Sequence, residues 1–306
     1  MKKILTCAAL SAILLSGCSF NKTGIIKVND SIITKSQFDN MVDDAINNPN
    51  TKTPIYLLGS IIHNKKVTNE YIKKGLILLD DKNKSKEDLL NSIDSGTVIF
   101  SAHGVGPKVY EIAKHKKLDI VDATCPNVRI IHNKIKEHLN KGYDIIYIGV
   151  KNHAESKAVL DISNKIHFIT NLDDLTKLKI SNDLLYVTNQ TTLSILDIDN
   201  IYQIIKDKYP NSIIDNKICL ATTKRQQAII NMAPADLLIV VGDISSSNTN
   251  KLKEIGINIK NIDTILCEDF TSLDIDKIKS LSTIAITSGA STPSYLVDEI
   301  IEKINK

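Results

Sequence analysis

Short apolar runs rich in β-branched residues alternate with amphipathic stretches from about residue 54 to the end of this 306-residue chain. The stretches between the runs carry apolar residues at helical spacing. Continuous apolar strands separated by helices are typical of parallel sheets that are covered on both faces. The alternation therefore predicts an α/β fold. The predicted strands are 54–58, 96–102, 118–123, 143–149, 165–170, 183–188, 236–242, 263–267 and 283–288.

The helices between these strands indicate how the chain is organised. Several begin at a recognisable start signal, such as Pro126 directly after Cys125, or Pro293 after Thr292. The number of strands is large for the length, so we predict several small α/β units rather than one wide sheet. The polar stretch 82–94 is interpreted as a surface insertion or a short helix. The predicted helices are 107–117, 126–141, 193–208, 222–233, 249–256 and 293–305.

The first 53 residues have a different pattern. Residues 1–20 combine a basic start, an apolar segment and the sequence Leu15-Ser16-Gly17-Cys18, which is typical of a bacterial lipoprotein leader. The alternative is a short buried helix or strand that matches this pattern by chance. Residues 21–53 predict a strand, a turn and a helix, and they resemble the opening of exported parvulin-type foldases.

Charge and composition exclude some classes of function. The net charge is +3, charged residues make up 24% of the chain, and the lysines are scattered, so we predict no nucleic-acid binding. Tryptophan is absent, which argues against a stacking surface for sugars or single strands. The five cysteines are widely spaced, which argues against a small disulfide scaffold and favours burial, catalysis or metal binding.

Chemically active side chains follow most of the predicted strands. Ligands of open α/β sheets bind beyond the carboxyl ends of the strands, so we expect these side chains to line one central site. Taken singly, Ser, Thr and Asn at such turns are usually helix caps, and a buried cysteine usually packs as a small hydrophobe. Their joint occurrence favours a site. The residues are His103, Cys125, His153, Glu155, Thr191, Thr192, Cys219, Thr222, Thr223, Arg225 and Gln226, with the stretches 243–250 and 289–292.

The residue types indicate the chemistry of this site. Thiolates from separate strand ends can hold an iron–sulfur cluster, and a cluster with three thiolate ligands leaves one iron open to substrate. Imidazoles, hydroxyls and amides at helix N-termini suit a diphosphate, and the carboxylate of Glu155 could relay a proton. The sequence contains no CxxC pair, Walker A motif or GxGxxG motif, so zinc ribbons, P-loop chemistry and dinucleotide binding are poorly supported.

Eight motifs occur in an order that resembles one enzyme family, the 4-hydroxy-3-methylbut-2-enyl diphosphate reductases, which catalyse the last step of the methylerythritol phosphate route to isoprenoids. The resemblance covers residues 54–306. It implies three similar α/β units in a trefoil arrangement around a central site, at 54–124, 125–215 and 216–306. The motifs are IIHN (61–64), FSAHGV (100–105), DATCP (122–126), NHAES (152–156), NQTTLS (189–194), CLATTKRQ (219–226), SSSNTN (245–250) and TSGASTP (287–293).

The resemblance also assigns roles to residues. Cys125 and Cys219 resemble two of the three ligands of a [4Fe-4S] cluster. Glu155 resembles the acid that delivers protons, and Thr191 the hydroxyl beside the oxygen that the substrate loses. The resemblance further implies an allylic diphosphate substrate, electrons from a ferredoxin or flavodoxin, and a cytoplasmic location. The residues that resemble the diphosphate pocket are His63, His103, His153, Ser246, Ser247, Asn248 and Ser291.

The start of the chain departs from the family pattern. The family begins with a glycine-rich turn and the first cluster cysteine, and its spacing back from His63 leads to Thr34, where neither occurs. Cys7 and Cys18 belong to the predicted leader and Cys267 matches no family ligand, so the sequence identifies no third cluster ligand. Besides an active reductase, the alternatives are an inactive fusion product and an exported lipoprotein that uses the fold as a binding module.

Overall fold

A computed structural model describes residues 3–6, 25–28, 31–34, 54–59, 69, 72–81, 83–290 and 292–306. The described residues divide into two compact units. The larger unit holds the described residues of 20–191 and 196–217, and the smaller unit holds residues 3–6, 192–195, 218–290 and 292–306.

Strands and helices alternate along the described residues from 54 onward. The strands are β1 (Lys3–Thr6), β2 (Ile25–Val28), β3 (Ser31–Thr34), β4 (Ile55–Leu58), β5 (Ile77–Leu79), β6 (Thr97–Phe100), β7 (Asp119–Asp122), β8 (Asp144–Ile148), β9 (Ile166–Ile169), β10 (Leu185–Asn189), β11 (Ile213–Ile214), β12 (Leu237–Val241), β13 (Thr264–Cys267) and β14 (Thr283–Ser288). The helices are α1 (Lys86–Asn91), α2 (Pro107–His115), α3 (Pro126–Asn140), α4 (Ala154–Leu160), α5 (Leu172–Lys177), α6 (Ile195–Lys208), α7 (Leu220–Asn231), α8 (Ser247–Asn258), α9 (Ile275–Lys279) and α10 (Ser294–Asn305).

The strands form three sheets. Two lie in the larger unit, with the strand orders β3-β2-β7-β6-β4-β5 and β11-β10-β8-β9, and one lies in the smaller unit, with the order β1-β14-β12-β13. All strand pairs are parallel except those of β2 with β3 and β7. The prediction of an α/β fold with several small parallel sheets is confirmed.

Two of the inner strands are buried along their whole length. Every residue of β10 and β12 is buried, as expected for parallel strands that are covered on both faces. The fully buried Tyr147 and Tyr186 lie on β8 and β10, in a core cluster that also contains Ile131 and Ile135 of α3. Packing on both faces fixes the strands, so the loops at their carboxyl ends have defined positions.

Backbone hydrogen bonds join the residues that follow two pairs of neighbouring strands. The N–H of Cys125 donates to the carbonyl of Ala102 at 3.0 Å, after the last β6–β7 pair, Phe100 with Asp122. In the second sheet the N–H of Gln190 donates to the carbonyl of Ile148 at 2.8 Å. The motifs that follow paired strands therefore leave each sheet at the same edge.

Most of the N-terminal predictions fall outside the described residues. The strand predicted at the start of 21–53 is confirmed as β2, whereas the helix predicted after it lies among residues that the structure does not describe. Of the predicted leader, only β1 is described, paired with β14, and the lipoprotein leader stays a prediction. In the described part of the chain, no helix is long and apolar enough to cross a membrane.

The polar stretch 82–94 contains α1, which confirms the short-helix interpretation. Ser85 and Asp88 form a capping box at its start, where the Ser85 Oγ accepts the N–H of Asp88 at 3.0 Å. Leu89 and Leu90 bury its apolar side against the first sheet, in the cluster that contains Leu58 and Phe100. This packing holds the first turn of α1 beside the loop that follows β6.

Candidate active site

The loop that follows β7 carries Cys125 and is held by one carboxylate. Asp122 Oδ1 accepts the N–H of Thr124 at 3.0 Å, and Asp122 Oδ2 accepts the hydroxyl of Tyr110 at 2.8 Å. The guanidinium of Arg129 forms an ion pair with the same oxygen at 3.2 Å. The aspartate at the head of the DATCP motif thus fixes the turn that presents the cysteine.

Cys125 and Cys219 occupy equivalent positions in the two units. Each is the N-cap of a helix, with φ and ψ of −53° and 133° at Cys125 before α3 and of −60° and 131° at Cys219 before α7. Cysteine is not among the residues preferred at an N-cap, so capping does not explain its presence at both. The positive end of a helix dipole stabilises a negative group such as a thiolate.

Cys267 has a different environment. It is 2% exposed and packs in the apolar core of the smaller unit with Leu237, Ile239 and Ile286. Burial, followed by the charge of Asp269, raises the pKa of its thiol to about 12, so the sulfur is neutral at pH 7. Cys267 is a core residue rather than a metal ligand.

The thiols of Cys125 and Cys219 have the donor chemistry that an iron–sulfur cluster needs. Among the residues that the structure describes, no group of three or more His, Cys, Asp or Glu side chains is arranged to hold a metal ion. Cys7 and Cys18 lie outside the described residues. The two cysteines therefore have the chemistry of cluster ligands, and no third ligand is identified among the described residues.

His103 and His153 meet within the larger unit. Their ring centroids are 5.0 Å apart and the rings are perpendicular. Burial lowers the pKa of His103 to about 3, helped by the neighbouring His153 and Lys86, and burial lowers the pKa of His153 to about 4. Both rings are neutral at pH 7, and each can donate one hydrogen bond.

The hydrogen bonds of His153 define its tautomer. It is the N-cap of α4, and its Nδ1 accepts the N–H of Glu155 at 3.2 Å. Because a neutral imidazole has one protonated and one unprotonated nitrogen, the proton is assigned to Nε2. His153 therefore offers an N–H donor through Nε2.

Glu155 and Thr191 form a buried pair, 1% and 5% exposed. The N–H of Thr191 donates to Glu155 Oε1 at 2.9 Å, and its hydroxyl donates to Oε2 at 2.8 Å. The adjacent Gln190 accepts the N–H of Val150 at 2.9 Å. Burial and the charge of Glu155 raise the pKa of Tyr147 well above its usual value, so that phenol stays protonated. The carboxylate is held in one orientation away from bulk water.

Two residues that sequence reasoning missed lie at Gly104, directly after His103. Lys86 donates from Nζ to the Gly104 carbonyl at 2.9 Å. A Cβ added at Gly104, where φ is +76°, would lie 3.2 Å from Thr124 Cγ2 and 3.3 Å from His132 Cε1. Lys86 sits in a polar stretch, and His132 matches the pattern of an amphipathic helix, so neither carried a signal in the sequence.

The smaller unit presents the SSSNTN motif at the start of α8. Ser246 is the N-cap and accepts the N–H of Thr249 at 3.4 Å, and Ser247 is the first helical residue. Asn248 is 4% exposed, and its amide oxygen and nitrogen have no hydrogen-bond partner among the described residues. A buried amide without partners is costly, so this helix start suits a polar ligand.

The described residues connect part of the predicted site. His103, His153, Glu155 and Thr191 form a continuous set of contacts in the larger unit, with Cys125 on the loop beside His103. Cys219 and residues 246–248 belong to the smaller unit. The predicted His63 and Ser291 lie outside the described residues.

Comparisons with known proteins agree on one family. The family model described as LytB protein matches residues 39–305. Proteins named 4-hydroxy-3-methylbut-2-enyl diphosphate reductase are similar along most of their length. The one from Bacillus subtilis (strain 168) is 43% identical over 250 residues, 81% of this chain and 79% of that protein. The one from Bacillus pumilus (strain SAFR-032) is 40% identical over 281 residues, 90% of this chain and 89% of that protein.

Solved structures give the same result. The E-1-hydroxy-2-methyl-but-2-enyl-4-diphosphate reductase from Plasmodium falciparum superposes with a TM-score of 0.78 and 35% identity, covering 89% of this chain and 84% of that one. A structure of (E)-4-hydroxy-3-methyl-but-2-enyl diphosphate reductase, described as the terminal enzyme of the non-mevalonate pathway, superposes with a TM-score of 0.60 and 25% identity. It covers 88% of this chain and 94% of its own.

Proposed function

This chain belongs to the LytB protein family, and from that premise we propose that it is a 4-hydroxy-3-methylbut-2-enyl diphosphate reductase. The reaction replaces the allylic hydroxyl of the substrate with hydrogen. It takes up two electrons and two protons, releases water, and yields isopentenyl and dimethylallyl diphosphates. The observation that carries the proposal is the buried Glu155–Thr191 pair, which lies next to a neutral imidazole donor at His153.

Glu155 and Thr191 handle the protons in this proposal. The Thr191 hydroxyl donates its only proton to Glu155 Oε2, so its lone pairs remain to accept a hydrogen bond from the substrate hydroxyl. Before this step the Glu155 carboxylate takes up a proton. When the C–O bond breaks, the Thr191 hydroxyl gives its proton to the departing oxygen, which leaves as water, and takes the Glu155 proton in return. Glu155 is then protonated a second time and gives that proton to the allylic carbon. Burial of the pair keeps bulk water away from this step.

The diphosphate is bound by hydrogen-bond donors. Neutral His103 and His153 each offer one ring N–H to phosphoryl oxygens. Ser246, Ser247 and Asn248 lie at the start of a 12-residue helix, where backbone N–H groups and the helix dipole favour an anion. The unpartnered amide of Asn248 supports this role. We further assign His63 and Ser291 to the same ligand, from the resemblance of their motifs.

Cys125 and Cys219 would hold a [4Fe-4S] cluster, and the sequence identifies no third protein ligand. When bound, such a cluster would supply single electrons for the reduction of the substrate. The electrons come from a ferredoxin or flavodoxin. That requirement favours a cytoplasmic location, where such donors and the substrate occur.

The two alternative functions are weaker. An inactive fusion product is not favoured, because the family match extends over residues 39–305 and relatives share 40% to 44% identity. A binding module would take up the allylic diphosphate without converting it, and turnover separates this possibility from the reductase.

The test is a turnover assay on protein purified and reconstituted without oxygen, with a low-potential dye as reductant. Wild type should form both products. Glu155→Gln keeps the size and polarity of the side chain but cannot act as an acid, and it should lower kcat by about 100-fold or more. The exposed Glu254 gives a matched control, because Glu254→Gln removes one carboxylate from the surface of α8. Equal rates for wild type and Glu155→Gln would overturn the proposed role of the pair.

A further inference from the structure

The ammonium of Lys86 contacts the loop that carries His103. Lys86 is the first residue of α1, is partly buried, and donates from Nζ to the carbonyl of Gly104 at 2.9 Å. Gly104 is buried and follows His103 directly. One hydrogen bond therefore ties the cation to the backbone of the loop that presents the imidazole.

Among the described residues, this cation has no carboxylate in direct contact. Within the part of the chain that the structure describes, no carboxylate lies within 4.0 Å of the Lys86 ammonium. Asp80 and Glu87 act on it from a distance, and the exposed Lys157 opposes its charge. An ammonium has three donors and the Gly104 carbonyl uses one of them. Holding a partly buried charge in this state costs free energy.

The imidazoles around Lys86 carry no positive charge at pH 7. His103 and His153 are neutral there, and so is His132, whose pKa is lowered to about 4 chiefly by burial. The charge of Lys86 acts on both His103 and His132. Neutral imidazoles can donate hydrogen bonds that orient a diphosphate. They do not balance its several negative charges.

We propose that Lys86 is a positioning residue of the diphosphate pocket, holding the His103 loop through the Gly104 carbonyl and supplying the positive charge that the neighbouring imidazoles lack. This inference rests on the proposed function, because it takes the anion to be the diphosphate of the substrate. The bound anion provides a counter-charge for the ammonium. Lys86 thus strengthens diphosphate binding at a cost to the stability of the empty pocket.

The test separates charge from hydrogen bonding with two variants. Lys86→Gln can still donate to the Gly104 carbonyl but has no charge, whereas Lys86→Arg keeps both. Lys84→Gln, on the exposed turn before α1, is the matched control for the loss of one positive charge. Binding of inorganic diphosphate to the purified full-length chain is measured by calorimetry, and circular dichroism verifies that each variant is folded.

Lys86→Gln should weaken diphosphate binding by about tenfold or more, Lys86→Arg should remain within about threefold of wild type, and Lys84→Gln should match wild type. If Lys86→Gln does not fold, Lys86→Met serves in its place. Equal affinity of wild type and the uncharged variant would overturn the role of Lys86 and leave the proposed function standing. If wild type itself binds no diphosphate, the pocket and the role of Lys86 both fail.

Discussion

Thr191 donates two hydrogen bonds to the two oxygens of a single carboxylate, that of Glu155, at 2.9 Å from its N–H and 2.8 Å from its hydroxyl. The two residues follow β8 and β10, neighbouring parallel strands of one sheet. The sheet therefore sets the position of the hydroxyl relative to the carboxylate, and no loop movement is needed to form the pair.

Replacement of Thr191 tests the hydroxyl directly. Thr191→Val keeps the shape and the backbone N–H bond but removes the hydroxyl, so kcat should fall by about 10- to 100-fold with a small change in KM. Thr191→Ser keeps the hydroxyl and should retain most of the activity. Steady-state kinetics of the reconstituted enzyme provide the measurement. A Thr191→Val enzyme as fast as wild type would show that the hydroxyl carries no proton.

Alanine substitutions at two glycines distinguish the cost of backbone strain from the cost of crowding near His103. Gly104 has a φ of +76° and close neighbours, whereas Gly142 has a φ of +86° and open space around it. Gly142→Ala should lower the free energy of unfolding by about 1 kcal/mol through strain alone. Gly104→Ala should cost about 1–2 kcal/mol more, because its Cβ meets Thr124 and His132. Urea unfolding at pH 7 measures both, and equal losses would show that the His103 loop is not tightly packed.

Much of the fold could be predicted from the sequence, because parallel strands buried on both faces require continuous apolar runs. Those runs predicted β4, β6 to β10 and β12 to β14. The strands that were missed are short and lie at sheet edges: β3 has four residues, β5 has three and β11 has two. Edge positions such as Ile77 and Ile213 are exposed, so burial imposes no pattern there. Short helices such as α5 and α9 were missed because they span fewer than two turns.

The site was predictable only in part. His103, Cys125 and His153 follow apolar runs, so their place at strand ends could be read from the sequence. The bond between Glu155 and Thr191 joins residues 36 positions apart and depends on the pairing of β8 with β10. Lys86 and His132 were missed because their importance comes from burial beside Gly104, which no local pattern encodes.

Acid should destabilise the protein through its buried imidazoles. The pKa of His132 is about 4 in the folded chain and 6.5 in a model peptide, so between these values the unfolded chain binds more protons. Stability should therefore be fully present above pH 6.5 and be lost as the pH falls towards 4. His132→Gln removes this titrating group. Between pH 7 and pH 5, the free energy of unfolding of the variant should therefore fall by about 1–2 kcal/mol less than that of wild type. Urea unfolding at both pH values is the measurement. An equal fall in the free energy of unfolding of the two proteins would show that His132 does not contribute to acid destabilisation.

The carboxylate of Asp122 should stabilise the loop that carries Cys125. Asp122→Asn removes the charge that pairs with Arg129 and disturbs the bonds to Thr124 and Tyr110, so the free energy of unfolding should fall by about 1–3 kcal/mol. Asp119, exposed on the same strand, is the control, and Asp119→Asn should change stability by less than about 0.5 kcal/mol. Similar effects of the two substitutions would show that the turn does not depend on Asp122.

The most direct measurement combines iron analysis with product formation in one sample that has been kept free of oxygen. We expect wild-type protein to retain iron and sulfide after reconstitution and to convert 4-hydroxy-3-methylbut-2-enyl diphosphate into isopentenyl and dimethylallyl diphosphates. Two electrons should be consumed per product molecule. Protein that retains iron and binds the diphosphate yet forms neither product would contradict the assignment of this chain as a reductase.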